Sequence, residues 1–340
     1  MEVPEVGLSI LGISHRSDWF ADVVSEVEAN IRTLLGLSED YHVLLLQGGA
    51  TQQFSMVPMT LLHGKTRPAE YLHTGYWSGK ALPEAQREGP MRVLWSGQSE
   101  GFRRLPSDAE LPFSADAPYL HYVSNETVEG TQFHRVLGRD DVPRVCDMSS
   151  DFLSKPCEAE RFALIYAHAQ KNIGPAGVTV VLVRDDVLPE PEEPIDLPGF
   201  LDYRSHIQTH SNFNTPPVFA IYVVLLITRW LLHEIGGVSN MAQINRSKAE
   251  LMYMLLDSSE DFYRGRAASA CRSEMNVAFN LASLELEQQF LAEAQAAGFS
   301  GLGGHRSIGG LRASIYNAVT LSAVEELTGF MEDFQRRHRR

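Results

Sequence analysis

Lys171 follows the apolar run FALIYAHA, with only Gln170 between them, and stands directly before the turn NIGPAG. A lysine held at a strand end loses affinity for its proton, because burial disfavours the ammonium form. The neutral amine can then attack an aldehyde to form a Schiff base. Taken alone, a lysine after a strand is far more often a solvated surface residue. Asp147 changes the weight of the observation, since it closes the preceding run, PRVCDM. A strand ending in Asp followed by a strand ending in Lys puts both groups at neighbouring sheet ends, where open α/β sheets bind ligands. An aspartate ahead of Ser149 and Ser150 also reads as a simple cap. Gly48-Gly49-Ala50-Thr51 offers backbone N–H donors at a helix start, where phosphate binds, although any tight connection uses the same glycines. Trp77, in TGYW, can cover the face of a flat ring, and a core tryptophan would look the same in sequence.

A lysine, a carboxylate, a phosphate turn and a stacking ring are together what pyridoxal 5′-phosphate (PLP) requires. The carboxylate belongs against the pyridine nitrogen, because a protonated ring is the better electron sink. His15-Arg16 and His305-Arg306 are two further pairs, both in polar, glycine-bounded segments. In an acidic chain they are candidate anion cradles, with plain surface exposure as the alternative.

Elements must position these groups. Ser17 precedes apolar residues at Phe20, Val23, Val24, Val27, Ile31, Leu34 and Leu35, a helical spacing with Ser17 as its N-cap. HVLLLQGGA, AEYLHTGYW, PYLHYVSN, PRVCDM, FALIYAHA and GVTVVLVRDD read as strands. Several are apolar throughout, as in a mostly parallel sheet covered on both faces. Thr215 is expected to cap a long apolar helix with Pro216 in its first turn, ending near Gly236-Gly237. Helices at 242–256 and 284–297, a strand around 275–281 and a terminal helix at 323–337 follow. The expected architecture is α/β, with a large domain over 1–236 and a smaller α/β domain over 237–340. PEPEEP at 189–194 reads as a surface linker, and the basic tail RRHRR as a solvated helix end.

The 340 residues carry a net charge of −14, which argues against a nucleic-acid surface. Three cysteines without metal-ligand spacing suggest reduced thiols and no metal site. The longest apolar run, Val218 to Ile227, is too short for a bilayer, and MEVPEVGLSI carries no signal pattern. A cytoplasmic protein without membrane attachment is the expectation.

GISHRS, QGGATQQF, TGYWS, SNETVEG, CDMSSDFLSKP, AQKNIGPAG, FNTPP and GHRSIGGLRASIYNA occur in this order. Together they resemble phosphoserine aminotransferase, of the class V aminotransferase group. The resemblance runs from about residue 7 to the end. It implies the type I PLP-dependent aminotransferase fold and a homodimer with shared active sites. The implied reaction is amino transfer between L-glutamate and 3-phosphohydroxypyruvate in L-serine biosynthesis, with the amino group resting on the cofactor between two half-reactions.

By the same resemblance Lys171 carries the cofactor and moves the proton, Asp147 pairs with the pyridine nitrogen, and Trp77 stacks on the ring. Thr127 donates to the phenolic oxygen, Ala50 and Thr51 hold the phosphate, and Gln170 is another cofactor contact. Asn214 and Thr215 reach the phosphate across the dimer. Arg312 holds the substrate α-carboxylate, while His15, Arg16, His305 and Arg306 receive the phosphate or the side-chain carboxylate. Two departures stand out. Position 168 is His where the family usually has glycine, and the family's glycine/proline-rich opening loop and helix do not precede ISHRS. That second departure leaves room for a PLP-binding but catalytically impaired form. Another type I aminotransferase is a further alternative, against which the two His-Arg pairs weigh.

Overall fold

The computed structural model describes residues 2–189 and 196–339. Most of PEPEEP therefore lies outside the described residues. The strands of the main sheet are β1 (Tyr41–Leu46), β2 (Ala69–His73), β3 (Met91–Ser96), β4 (Leu120–Val123), β5 (Arg144–Asp147), β6 (Leu164–His168) and β7 (Thr179–Arg184). They line up in the order β1-β7-β6-β5-β4-β2-β3. β6, β5, β4, β2 and β3 pair in parallel, and β7 is antiparallel to both β6 and β1. Because two reversals cancel, β1 runs the same way as β6. The C-terminal ends of β1, β2, β4, β5 and β6 thus share one edge of the sheet.

Helices cover both faces. They are α1 (Asp18–Leu35), α2 (Gly49–Leu61), α3 (Tyr76–Glu88) and α4 (Val218–His233) in this part of the chain. Successive strand residues point to opposite faces. Leu44, Leu46, Val145, Leu164 and Tyr166 pack toward α2 and α3, against Phe54, Val57 and Ala81. Val43, Leu45, Cys146, Ile165 and Ala167 pack toward α1 and α4, against Val27, Ile31, Ile221 and Val224. Both faces are buried, which is why these strands read as continuous apolar runs. A fully buried side chain such as Ile31 contributes about 1.5–3 kcal/mol through the water it sheds.

Ser17 caps α1 as expected, its Oγ accepting from Phe20 N at 3.3 Å. Thr215 does not cap α4. The helix begins at Val218, with Pro217 at the N-cap position and no side-chain cap bond. A residue before proline is pushed toward extended backbone, and Pro216-Pro217 applies that restriction twice, so the helix cannot start earlier. It ends at His233 on Glu234, short of Gly236 and Gly237, whose φ values of +78° and +101° turn the chain into the next helix. That helix, α5 (Val238–Ser258), starts four residues before the expected one, directly after the glycines. β3 was not anticipated from MRVLWS. It is an edge strand with one neighbour and half-exposed faces, so burial leaves little pattern in its sequence.

Beyond α5 a three-stranded antiparallel sheet forms from β8 (Arg264–Gly265), β9 (Asn276–Asn280) and β10 (Leu311–Ser314). α5, α6 (Leu284–Ala296) and α7 (Leu321–His338) pack on it around Phe279, Phe290, Met331 and Phe334. Arg336, Arg337 and His338 occupy the last turn of α7, where cations favour the helix dipole. Among the described residues no single helix is long and apolar enough to cross a membrane, and no cluster could hold a metal ion.

Candidate active site

The shared strand edge gathers the chemically able residues. Asp147 is the last residue of β5, 4% exposed, and its Oδ1 accepts from Ser149 N at 2.9 Å. Lys171 follows β6, and its Nζ lies 4.8 Å from the centroid of the Trp77 ring. Burial lowers the proton affinity of Lys171, while the Asp147 and Glu126 carboxylates pull the other way. Burial raises the Asp147 carboxyl, with Lys171 opposing. For both groups desolvation outweighs their mutual attraction, so the pair lacks a compensating partner. A buried carboxylate and a half-buried, desolvated amine in this state are poised for a group that supplies a cationic N–H to one and an electrophile to the other.

Trp77 sits at the start of α3, since the strand stops at His73. Its Nε1 donates to Thr127 Oγ1 at 3.0 Å, which fixes the ring. Arg312, on β10, donates from Nη1 to the Thr127 carbonyl at 3.1 Å, and its buried Nε has no partner. Thr127 therefore joins the aromatic platform to the guanidinium from the second sheet.

After β1 the chain turns through Gly48 and Gly49, with φ of +85° and +73°, into α2. Only glycine enters that region without strain. The first helical bond runs from Gln52 N to Gly48 O, so the Gly49, Ala50 and Thr51 amides precede it. Asn214 Nδ2 donates to Gln47 Oε1 at 2.8 Å, and Gln47 Nε2 donates to the Thr215 carbonyl. The Asn214-Thr215 segment thus stands beside this turn within one chain. Thr51, Gln170, Asn214 and Thr215 are all exposed.

The two His-Arg pairs do not meet within the chain. The His15 carbonyl accepts from Asn212 Nδ2 at 3.1 Å, and Arg16 is exposed. His305 instead packs on Tyr76, ring centroids 4.7 Å apart. Burial, then the guanidinium groups of Arg312 and Arg306, hold His305 below the usual histidine range.

The geometry fits the cofactor that the sequence suggested, and similarity to known proteins decides the family. The class-V aminotransferase model matches residues 6–327. A phosphoserine aminotransferase of Rhodopirellula baltica is 47% identical over 332 residues, 97% of this chain and 88% of that protein. The chain belongs to the phosphoserine aminotransferases, within the class-V aminotransferase family. The solved phosphoserine aminotransferase of Bacillus circulans subsp. alkalophilus superposes with a TM-score of 0.93 at 46% identity, covering 97% of this chain and 91% of that one. A PLP-bound phosphoserine aminotransferase from Trichomonas vaginalis gives 0.88 at 33% identity, with 96% and 92% covered.

Membership of this PLP-dependent family leaves two site features that the sequence did not suggest. Glu126 is buried, and its carboxylate accepts from Trp77 N and Ser78 N at 3.0 and 2.9 Å. Glu129 accepts from Tyr76 N at 3.0 Å. Together they satisfy the first amides of α3, whose N-cap, Gly75, has no side chain to do so. A side chain at Gly75 would collide with both carboxylates, its Cβ 2.5 Å from Glu129 Oε2. The second feature is a buried amide relay. Asn317 N donates to Asn172 Oδ1 at 2.9 Å and Asn245 Nδ2 donates to Asn317 Oδ1 at 2.8 Å, tying the neighbour of Lys171 to the second sheet.

Burial, then the Glu126 charge, pushes the Glu129 carboxyl up to about 8. Its folded value lies above its unfolded one, so the folded state holds the extra proton. This contribution to stability is complete below the unfolded value and is lost as pH rises toward 8. Glu129→Gln keeps an acceptor for Tyr76 N but cannot ionise. In cofactor-free protein it should flatten the fall in melting temperature between about pH 5 and about pH 8.5 by about 2 °C or more. Parallel profiles for wild type and variant would show that Glu129 does not titrate in this range.

Proposed function

We propose the following division of labour for reversible amino transfer between L-glutamate and 3-phosphohydroxypyruvate, giving 2-oxoglutarate and O-phospho-L-serine. Lys171 Nζ accepts the proton from the substrate Cα and returns one when the direction reverses. Its desolvation favours the neutral form that this task needs. PLP, when bound, supplies the electron sink that makes the Cα–H bond acidic. Asp147, whose Oδ1 accepts from Ser149 N, would hold the pyridine N–H with its carboxylate. Trp77 would cover the ring from one face, and the hydroxyl of Thr127, which accepts from Trp77 Nε1, would donate to the phenolic oxygen. The amides and hydroxyl of Ala50 and Thr51 would hold the phosphate, and Gln170 would be another cofactor contact.

Arg312 receives the substrate α-carboxylate. Its tether to the Thr127 carbonyl aims the guanidinium, and its unpartnered Nε leaves a donor for a forked contact. His15, Arg16, His305 and Arg306 take the phosphate of one substrate and the side-chain carboxylate of the other. Since no contact joins the two pairs among the described residues, a homodimer whose partner contributes His15, Arg16, Asn214 and Thr215 would complete each site. Asn214 and Thr215 are exposed, which leaves them accessible to a partner subunit. On the same reading the chain divides at 236–237 into a large and a small domain and works in the cytoplasm.

The observation that carries the proposal is Lys171 set against the Trp77 ring, with the buried Asp147 carboxylate acting on it and an arginine with an unused donor beside them. Purified protein with added PLP should use phosphohydroxypyruvate with kcat/KM roughly 10²-fold or more above that for hydroxypyruvate. Donors left unpaired in a closed pocket penalise the smaller substrate. Arg306→Ala should narrow that ratio without weakening PLP binding. Comparable efficiencies in the wild type would remove the phosphate cradle.

A further inference from the structure

We infer that His168 is a further ligand of the cofactor phosphate, donating from Nε2 beside the amides of the Gly48–Thr51 turn; this rests on the proposed place of the phosphate at that turn. Strand alternation sets the direction of the side chain. Leu164 and Tyr166 of β6 pack on the face covered by α2 and α3, so His168, two residues on, projects to that face at the strand's C-terminal end. This is where α2 begins. The backbone position is pinned, since His168 N donates to Ser149 Oγ at 3.1 Å.

The ring is pinned as well. Nδ1 lies 2.9 Å from the hydroxyl of Thr179, its partner across the β6–β7 ladder, and Thr179 is fully buried. Cε1, which joins the two ring nitrogens, lies 4.0 Å from the position a Cβ would take on Gly49. With Nδ1 held by Thr179, the Cε1–Nε2 edge is the one left facing the turn. When the Thr179 hydroxyl donates to Nδ1, the proton resides on Nε2, because the bond made by one ring nitrogen selects the tautomer. Burial, then the neighbouring Lys171, lowers the proton affinity of the imidazole against a backbone contact with Val178 that raises it, which favours the neutral ring. Three amides and one imidazole N–H then converge from two elements on a single anion. A glycine at this position would leave only the amides and the Thr51 hydroxyl on this side.

The test is titration of cofactor-free protein with PLP and, separately, with pyridoxal, which lacks the phosphate, following the visible absorption of the bound form. His168→Ala should weaken PLP binding about tenfold or more, as loss of a hydrogen bond to a charged group does, and leave pyridoxal binding unchanged. His168→Gln, whose amide nitrogen falls near Nε2, should restore most of the affinity. His168→Asn, whose amide falls near Nδ1, should not. Restoration by Asn and not by Gln would assign the effect to the Thr179 contact and overturn the inference, as would equal losses for PLP and pyridoxal. Thr51→Ala, titrated in parallel, separates the two claims. A PLP-selective loss there with none in His168→Ala defeats only the inference. No selective loss in either variant would place the phosphate elsewhere and defeat both.

Discussion

Lys171→Ala should leave a folded protein that has lost amino transfer by roughly 10⁴-fold or more, the upper range for a positioned proton-transfer group. The expectation rests on where Nζ lies. It is over the Trp77 ring at 4.8 Å, with the Asp147 and Glu126 charges acting on it, and no other lysine in the described residues shares that position. The fold should survive because the side chain is held by no hydrogen bond and its burial carries a desolvation penalty that alanine removes. A melting curve close to wild type, together with loss of the visible absorption of the PLP-loaded protein, would separate a chemical loss from unfolding. Substantial turnover of glutamate in the variant would show that another group moves the proton.

Asp147→Asn should lower kcat/KM by roughly 10²–10³-fold, the scale on which removal of one preorganised electrostatic contact acts. Asparagine can keep the bond from Ser149 N, so the local turn persists. What it loses is the charge, and it can present an amide N–H where a pyridine N–H needs an acceptor. The stability effect runs the other way. Burial raises the Asp147 carboxyl, so its contribution to folding declines as pH rises through the folded value, and an uncharged replacement avoids that decline. Cofactor-free Asp147→Asn should therefore melt no lower than wild type near neutral pH while PLP-loaded protein loses activity. A variant within about tenfold of wild type would contradict a role for the carboxylate at the ring nitrogen.

The sheet was legible because β1, β5, β6 and β7 are buried on both faces and so carry apolar residues without interruption. β3, at the edge, was not legible for the opposite reason. Asp147 and Lys171 could be placed at neighbouring strand ends because β5 and β6 do pair in parallel, Tyr166 opposite Asp147. Trp77 was harder. TGYW reads as a continuation of its strand, yet the chain leaves the strand at His73 and Trp77 opens a helix. Glu126 and Glu129 went unremarked because glutamates in a polar segment look solvated. One signal pointed to them in retrospect: α3 opens on Gly75, which cannot cap it, so acceptors had to come from elsewhere. His168 could not be assigned a face from sequence, because that needs the register against Thr179 and the position of α2. The separation of His15 from His305 was likewise hidden, since residues far apart in sequence report nothing of their distance.

A transaminase runs two half-reactions through one site, and the first can be followed without an acceptor present. Protein loaded with PLP is mixed with excess L-glutamate alone, and 2-oxoglutarate is counted against subunits. One equivalent per subunit should appear, with a shift of the visible absorption, and then the reaction should stop. Addition of 3-phosphohydroxypyruvate should restore the original spectrum and release one equivalent of O-phospho-L-serine. No 2-oxoglutarate from glutamate, or an amino-loaded site that phosphohydroxypyruvate cannot discharge while an unphosphorylated keto acid can, would contradict a phosphoserine aminotransferase.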